Sequence, residues 1–383
     1  MKWSDLMYDG VERPRSAASQ CWRRGRCGHV SNGEGRPMEN IDIVGLDLAK
    51  HLFQVHAVAA DATVVLKRQL RRSQLLSFFA KLPPCLVGLE ACGGAHFWAR
   101  EIAALGHQVR LMPPAYVKAY VKRGKTDAGD AEAICEAVSR PTMRFVPIKS
   151  AEQQAAAMRL KTRDLLVRQR NPAVNALRAH LSELGIVAGT GIGRVTELIA
   201  IVRDEDDERL PRAARLALAA LADQIEALTT RLGRLEREII SQVRHDTDLR
   251  RLTTIPGVGP ISAASIKALV PDPDGFVSGR HFAAWLGLTP RPHSSGGKER
   301  LGRISKMGNR TLRCLLILGA TTILRHARNG AKVSAWMTAL LARRPAKVAA
   351  IAVANKMARI VWALLVKGGI YREPGLVAGA RGA

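Results

Sequence analysis

Four carboxylates in this sequence have the types and spacing of a metal site that acts on phosphates: Asp47 in IDIVGLDLAK, Glu90 in CLVGLEACGG, and Asp127 with Asp130 in KTDAGDAEA. The first two end short apolar runs typical of strands. The last two lie three residues apart, where the start of a helix would put both on one face. Acids gathered in one cleft repel each other unless a divalent cation neutralises them. The pattern therefore predicts a Mg²⁺ site.

A Gly-rich polar loop over residues 290–308 is the second candidate for chemistry, because it combines hydroxyls with cations. Cationic side chains could hold the nonbridging oxygens of a phosphodiester and stabilise developing charge. A serine there could be a nucleophile, but its hydroxyl needs a base or a metal, which the four acids could supply. Alternatively, the serines only bind phosphate or form the loop. The residues concerned are Arg291, His293, Ser294, Ser295, Lys298, Arg300, Arg303, Ser305, Lys306 and Arg310.

The elements that must position the acids alternate between strands and helices over residues 41–148. Three consecutive strands (IDIVGLD, LFQVHAVAA, ATVVLKRQL) are followed by a helix over residues 72–81, a strand (CLVGLE), a helix, a strand (QVRLM) and two helices. This order predicts an α/β layer and resembles the RNase H-like fold. In that fold the first strand carries an Asp, the fourth ends in an acid, and a later helix supplies the remainder.

The middle of the chain, residues 150–246, has a helical pattern almost throughout. Leu218, Leu221, Ile225, Leu228, Leu232, Leu235 and Ile239 follow 3-4 spacing. That heptad seam predicts a coiled coil through which two chains associate. The alternative is a long amphipathic helix packed on its own protein. Asn171 and Pro172 predict a kink or a new helix start.

A mainly α-helical C-terminal module is predicted over residues 247–370, and it begins with LTTIPGVGPISAASIKALV. Its Pro-Gly-Val-Gly-Pro turn resembles a helix-hairpin-helix motif. There Gly257 and Gly259 would let backbone N–H groups approach a DNA phosphate. An ordinary Gly-rich turn is the alternative. Residues 38–149 form the predicted catalytic domain, residues 1–37 a disordered leader with Met38 as a candidate start, and residues 371–383 a tail.

Charge and composition restrict the partner. The 383 residues include 59 Lys and Arg against 33 Asp and Glu, a net charge of +26 that favours a long polyanion such as DNA or RNA. No amphipathic stretch suited to a membrane surface and no uninterrupted apolar stretch of membrane-spanning length is present, so we expect no membrane partner. Six scattered cysteines indicate a reducing cytoplasm. With only 4% aromatic residues, contacts from Lys and Arg to phosphates should dominate binding over base stacking.

Taken together, GLDLAK, GLEACGG, KTDAGDAEAI, IPGVGP and GLTPRPHSSGGKERLGRISKMGNRTLR resemble the transposases of bacterial insertion sequences in family 110, particularly its 1111 subgroup, over residues 40–370. The resemblance implies an N-terminal domain of the RuvC type with an Asp-Glu-Asp-Asp set, which corresponds here to Asp47, Glu90, Asp127 and Asp130. It also implies a C-terminal transposase domain with a nucleophilic serine. Ser295, next to glycine, takes that role, although Ser294 and Ser305 stay open.

The resemblance further implies a site-specific DNA recombinase of the bacterial cytoplasm and nucleoid. It would use Mg²⁺ and a covalent phosphoserine, and an RNA encoded by the element would guide it to donor and target DNA. We expect a homodimer that assembles into a tetramer. One rival is a Holliday-junction or structure-specific nuclease; another is a binding protein in which the acids cap helices or lie on the surface. The predicted nucleic-acid contacts are Lys125, Gly257, Gly259, Arg291, Lys298, Arg300, Arg303, Lys306 and Arg310.

Overall fold

A mixed five-stranded sheet forms the N-terminal part of the protein. The computed structural model describes residues 40–122, 124, 126–329 and 333–372. The predicted leader, Lys125 and all but two residues of the predicted tail lie outside these ranges. The strands are β1 (Ile43–Asp47), β2 (Leu52–Val58), β3 (Val64–Arg71), β4 (Leu86–Glu90) and β5 (Gln108–Met112).

The strand order is β3-β2-β1-β4-β5. The pairs β1–β2 and β2–β3 are antiparallel, whereas β4 and β5 run parallel to β1. The central residues of β1 and β4 are buried, as expected for strands covered on both faces. This topology confirms the predicted RNase H-like fold. Its helices are α1 (Leu75–Phe79), α2 (Ala95–Ala104), α3 (Pro114–Val117) and α4 (Asp127–Val138).

The helical middle comprises α5 (Ala151–Glu183), α6 (Val195–Arg203) and α7 (Arg212–His245). The heptad seam lies on α7, where it packs against α5 and α6 of the same chain. Arg163 Nη2 contacts Glu236 Oε1 at 2.5 Å across the α5–α7 pair. The expectation that this seam faces a second chain is therefore wrong: a period of 3.5 residues fits a helix pair within one chain equally well. The dimer stays a prediction, and it requires another surface.

The predicted new helix start at Pro172 is also wrong, because α5 runs through it without interruption. The alternative, a kink at this residue, stays a prediction. A proline inside a helix loses one hydrogen bond and costs about 3 kcal/mol. The neighbouring Ala173, Val174 and Leu177 are buried in the core shared with α6 and α7, and that burial offsets the cost.

The C-terminal part is mainly helical, as predicted. It contains α8 (Thr247–Thr253), α9 (Pro260–Leu269), α10 (Gly279–Trp285), the short strands β6 (Pro290–Pro292) and β7 (Leu301–Ile304), α11 (Arg310–Arg328), α12 (Ala335–Arg343) and α13 (Ala346–Lys367). Within the described ranges, α13 is the one helix with the length and mean hydropathy, 1.6, of a membrane span. It packs against α10, α11 and α12, so its apolar composition is that of a core helix.

Candidate active site

Two of the four acids end neighbouring parallel strands. Asp47 is the last residue of β1 and Glu90 is the last residue of β4. In the register of this pair, Leu46 lies opposite Leu89, so Asp47 and Glu90 follow at neighbouring positions at the carboxyl edge of the sheet. The sequence prediction of strand-end acids is confirmed at both positions.

The other two acids, Asp127 and Asp130, lie in the first turn of α4. The N-cap of this helix is Thr126, whose Oγ1 accepts a hydrogen bond from the Gly129 N–H at 3.1 Å. Neither acid is thus the capping residue, because a threonine already has that role. Capping therefore does not account for these two carboxylates.

Two glycines set how closely α4 approaches the sheet. A Cβ at Gly45 on β1 would lie 2.3 Å from the Ala131 carbonyl oxygen, and one at Gly88 on β4 would lie 2.8 Å from Val138 Cβ. Only glycine permits these contacts without displacing the helix. The sequence carries a signal for this close approach, because VGLD and VGLE both have a glycine two residues before the strand-end acid.

The close approach brings Asp47, Asp127 and Asp130 into one cluster. One carboxylate oxygen from each lies within 4.8 Å of the others. Burial first, and repulsion from Asp130, Asp127 and Glu90 second, together raise the pKa of Asp47 to about 6. Such a site favours an ion that supplies positive charge, and carboxylate oxygens are the ligands that Mg²⁺ prefers. The donor set therefore fits the predicted divalent cation.

Ser295 lies at the tip of a β-hairpin, here called the serine hairpin (residues 290–305), in the C-terminal domain. Its carbonyl accepts a hydrogen bond from the Lys298 N–H at 3.1 Å. Between them, Gly296 and Gly297 have φ of 56° and 74°, as a two-residue type I′ turn requires. Residues 291–300 are exposed. The turn therefore explains why a glycine follows Ser295. The exposed hydroxyl of Ser295 belongs to a different domain from the four acids.

The two competing serines have local roles in this hairpin. Ser294 Oγ accepts from the Arg300 N–H at 3.3 Å. Ser305 Oγ accepts from the Met307 N–H at 3.4 Å, and the backbone carbonyl of Ser305 accepts from Arg291 Nη2 at 2.8 Å, which links the two strands at the base of the hairpin. The remaining predicted phosphate contacts of this region are exposed: Lys298, Arg300, Arg303, Lys306 and Arg310.

The glycines of the predicted helix-hairpin-helix turn differ from each other. Gly257 has φ of +78°, and its Cβ would lie 2.8 Å from the Gly319 carbonyl oxygen on α11. Gly257 is therefore required for packing. Gly259 is exposed at the N-cap of α9, and a Cβ there would meet nothing within 4 Å. Only Gly259 leaves open backbone for a phosphate, so a DNA role for either glycine stays a prediction.

An RNase H-like sheet with acids at the ends of its two central parallel strands and on the helix packed over them defines the class of DEDD transposase domains. Comparison with known families agrees with this class. Residues 44–186 match a DEDD-type IS110 family described as "Transposase", and residues 249–335 match the family described as "Transposase IS116/IS110/IS902 family".

Individual relatives cover nearly the whole described chain. A probable family 20 transposase of Pseudomonas aeruginosa is 51% identical over 336 residues, which are 87% of this chain and 99% of that protein. The transposase of insertion sequence element IS1111A from Coxiella burnetii is 40% identical over 88% of this chain and 93% of its own length. At lower similarity, the pilin gene-inverting protein of Moraxella bovis is 24% identical over 57% of this chain and 60% of its own. This chain belongs to the IS110/IS116/IS902 family of transposases.

Proposed function

We propose that this transposase cuts and rejoins DNA strands by forming a covalent bond between Ser295 and a DNA phosphate, with Asp47, Glu90, Asp127 and Asp130 as the Mg²⁺-binding residues. The observation that carries the proposal is the pairing of two incomplete sites in one chain. The acid cluster supplies carboxylates that can bind a cation, and the serine hairpin supplies an exposed hydroxyl among cations.

In the proposed reaction, Ser295 Oγ attacks the phosphorus, and a carboxylate of the acid cluster takes the serine proton. The P–O bond to the departing segment breaks, and that segment leaves with a free hydroxyl. The serine ester conserves the bond, and a hydroxyl of the exchanged strand later attacks it and releases the serine. A bound divalent cation would lower the pKa of the serine hydroxyl and polarise the phosphate. The hairpin cations hold the nonbridging oxygens.

The covalent step is supported by a comparison. Inverting a gene requires that DNA ends be rejoined, and the Moraxella bovis relative is named a gene-inverting protein. A nuclease that activates water with the same acids is the alternative, because the acid cluster is assembled without the serine. Hydrolysis would leave cut DNA and no protein adduct.

The decisive experiment incubates the protein with labelled DNA containing the element ends and Mg²⁺, then separates the products under denaturing conditions. We expect a DNA adduct that the Ser295→Ala variant lacks and the Ser294→Ala variant keeps. An adduct formed by Ser295→Ala protein would refute the assignment of the nucleophile. Cut DNA without any adduct would favour the nuclease.

The two halves of the site must be joined, since 165 residues separate Asp130 from Ser295. Exchange of two duplexes needs several active sites, so we further propose a dimer that becomes a tetramer on DNA. Each centre would then combine acids and serine from one chain or from two. Light scattering on the protein–DNA complex tests this assembly, and a monomeric complex contradicts it.

Choice of the DNA site is assigned to an RNA encoded by the element, as the family resemblance implies. A basic protein that binds phosphates, with few aromatic residues overall, suits this division because base pairing then reads the sequence. The test is strand transfer between element ends and a target duplex, with and without RNA transcribed from the flanking noncoding region. Equal transfer without RNA would remove the guide from the proposal.

A further inference from the structure

A large cleft lies beside the serine hairpin, between β6, β7, α10, α12 and α13. Its volume is about 1490 Å³, above the roughly 300–1,000 Å³ typical of small-molecule sites. We call it the basic cleft, because six cations line it: Arg280, Arg303, Lys306, Lys347, Lys356 and Arg359. None of the described residues that line it is Asp or Glu. The cleft therefore presents uncompensated positive charge.

This charge reflects a segregation along the sequence. Residues 300–372 contain 15 Lys and Arg and no Asp or Glu. Elsewhere in the described chain, cations such as Arg163 and Arg203 pair with acids of the neighbouring helix. Five of the six cations of the basic cleft lie in this acid-free segment, so their counter-charge must come from outside it. A polyanion supplies it.

The floor of the basic cleft is apolar, which distinguishes it from a surface that only follows phosphates. Leu288, Ile351 and Ile360 contribute to this floor. On the rim, Trp336 is 37% exposed, and Lys356 Nζ lies 4.3 Å from its ring centroid. Unpaired bases stack on exposed aromatic rings while cations hold the backbone, whereas a duplex keeps its bases stacked inside. The combination fits a single strand better than a duplex.

The basic cleft is a built feature of the fold. A Cβ at Gly279 on α10 would lie 3.1 Å from Arg359 Cα and 3.2 Å from Trp362 Cε3 on α13, so these helices are in direct backbone contact. Asn355 Nδ2 donates to the Leu288 carbonyl at 3.3 Å and links α13 to the segment that enters the hairpin. The wall is thus fixed by packing before any strand arrives.

We propose that the basic cleft binds a single DNA strand and leads it to Ser295. The inference rests on the proposed function, because it takes the strand attacked by Ser295 as the occupant. Pro290, Gly302, Arg303 and Ile304 of the serine hairpin form one wall of the cleft. From Pro292, which pairs with Leu301, three residues lead to Ser295, or roughly 10 Å at about 3.3 Å per residue. A short stretch of single strand spans that length.

The α13 side of the cleft accommodates several more nucleotides. Lys347 and Arg359 are 12 residues apart on one helix, about 18 Å at about 1.5 Å per residue. A strand along this wall would place several phosphates near cations before it reaches the hairpin. The base facing Trp336 would gain about 1–3 kcal/mol from stacking.

The test measures binding of fluorescein-labelled 15-nucleotide single-stranded DNA to the full chain by anisotropy, in EDTA so that no cleavage occurs. The variant Lys347→Ala with Arg359→Ala removes two charges inside the cleft. The matched control, Arg343→Ala with Arg344→Ala, removes two exposed charges outside it. We expect at least tenfold weaker binding for the cleft variant and no more than about threefold for the control. The slope of log affinity against log salt should fall by about 0.7 per lost phosphate contact.

A second measurement on the unaltered protein covers the case in which the cleft variant fails to fold. Single-stranded DNA carrying 5-iodouracil is irradiated in the complex, and the crosslinked peptide is identified by mass spectrometry. We expect the crosslink at Trp336. Three results would each overturn the proposal. The crosslinks could be confined to other regions, or the cleft and control variants could lose affinity equally. The third is that the cleft binds RNA or duplex DNA more tightly than single-stranded DNA.

The binding assay separates the role of the basic cleft from the proposed catalytic function. The binding assay needs neither Mg²⁺ nor Ser295, so a Ser295→Ala protein should bind the strand with unchanged affinity. If the protein forms the serine adduct but binds single strands independently of the cleft, the proposed function stands and the proposed role of the cleft fails.

Discussion

The substitution Asp47→Asn should stabilise the metal-free protein while abolishing its activity. The pKa of Asp47 is raised from 3.8 to about 6 by burial and by the three neighbouring acids. Each pKa unit corresponds to about 1.36 kcal/mol. Ionised Asp47 therefore destabilises the folded state by at most about 3 kcal/mol, and solvent screening at this half-buried site lowers that limit. Asparagine has nearly the same shape and carries no charge to repel its neighbours.

The sign follows from proton linkage. Because the folded state holds the Asp47 proton more tightly, this group lowers stability as the pH rises from about 4 to about 6, and the loss then stays constant. The gain from Asp47→Asn should be small near pH 4 and complete at pH 7.5. Other acids also titrate in this range, but they do so in both proteins. The difference between variant and wild type isolates Asp47.

The assay is urea unfolding of both proteins in EDTA at several pH values. At the upper limit of about 3 kcal/mol, the midpoint moves by about 1 M for m of about 3 kcal/mol/M, and screening reduces this shift. The control is Asp61→Asn, an exposed acid of the same domain whose Oδ1 accepts from the Thr63 N–H and which should give no such gain. Addition of Mg²⁺ should stabilise wild type more than the variant. Equal midpoints of wild type and Asp47→Asn at pH 7.5 in EDTA would refute the reasoning.

Three further substitutions test how the fold positions the site. Gly45→Ala forces α4 away from the sheet, so it should cost about 1–3 kcal/mol of stability in urea unfolding and reduce Mg²⁺-dependent cleavage. The control Gly93→Ala, whose Cβ would lie in open space, should change neither the stability nor the cleavage. Gly257→Ala meets the α11 backbone and should destabilise the protein in urea unfolding; Gly259→Ala, with nothing near its Cβ, should leave stability unchanged, and equal losses would contradict this. Thr126→Ala removes the α4 cap, costs about 1 kcal/mol and should raise the Mg²⁺ concentration for half-maximal cleavage; an unchanged Mg²⁺ titration would count against it.

The acid site could be predicted from sequence because each acid ends or begins a periodic element. Asp47 and Glu90 close apolar runs, and Asp130 follows Asp127 by almost one helical turn. Strand and helix periods are local properties, so short windows reveal them. The glycine contacts that bring α4 onto the sheet join residues far apart in the sequence, as in the approaches of Gly45 to Cys135 and of Gly88 to Val138, and no local pattern specifies them.

The surface against which a helix packs is also hard to predict from sequence, because packing partners lie far apart in the chain. The seam on α7 has the period of a coiled coil whether its partner is α5 or a second chain, since the period describes one helix surface only. Likewise, Pro172 carries a helix-breaking propensity, yet the buried side chains around it hold the helix together. Tertiary packing decided both cases, and propensity did not.

In the proposed mechanism, the distribution of charge explains why catalysis would need both domains. Four carboxylates alone would repel a DNA phosphate, and one divalent cation offsets only part of their charge. The acid-free segment of residues 300–372 can hold the strand but lacks the groups that activate a hydroxyl. Docking the serine hairpin against the acid cluster brings positive charge and phosphate together, so the strand's approach to the carboxylates is electrostatically balanced. Binding of DNA by the C-terminal domain would then favour the closed site, in which the serine hairpin lies against the acid cluster, over the open site without DNA.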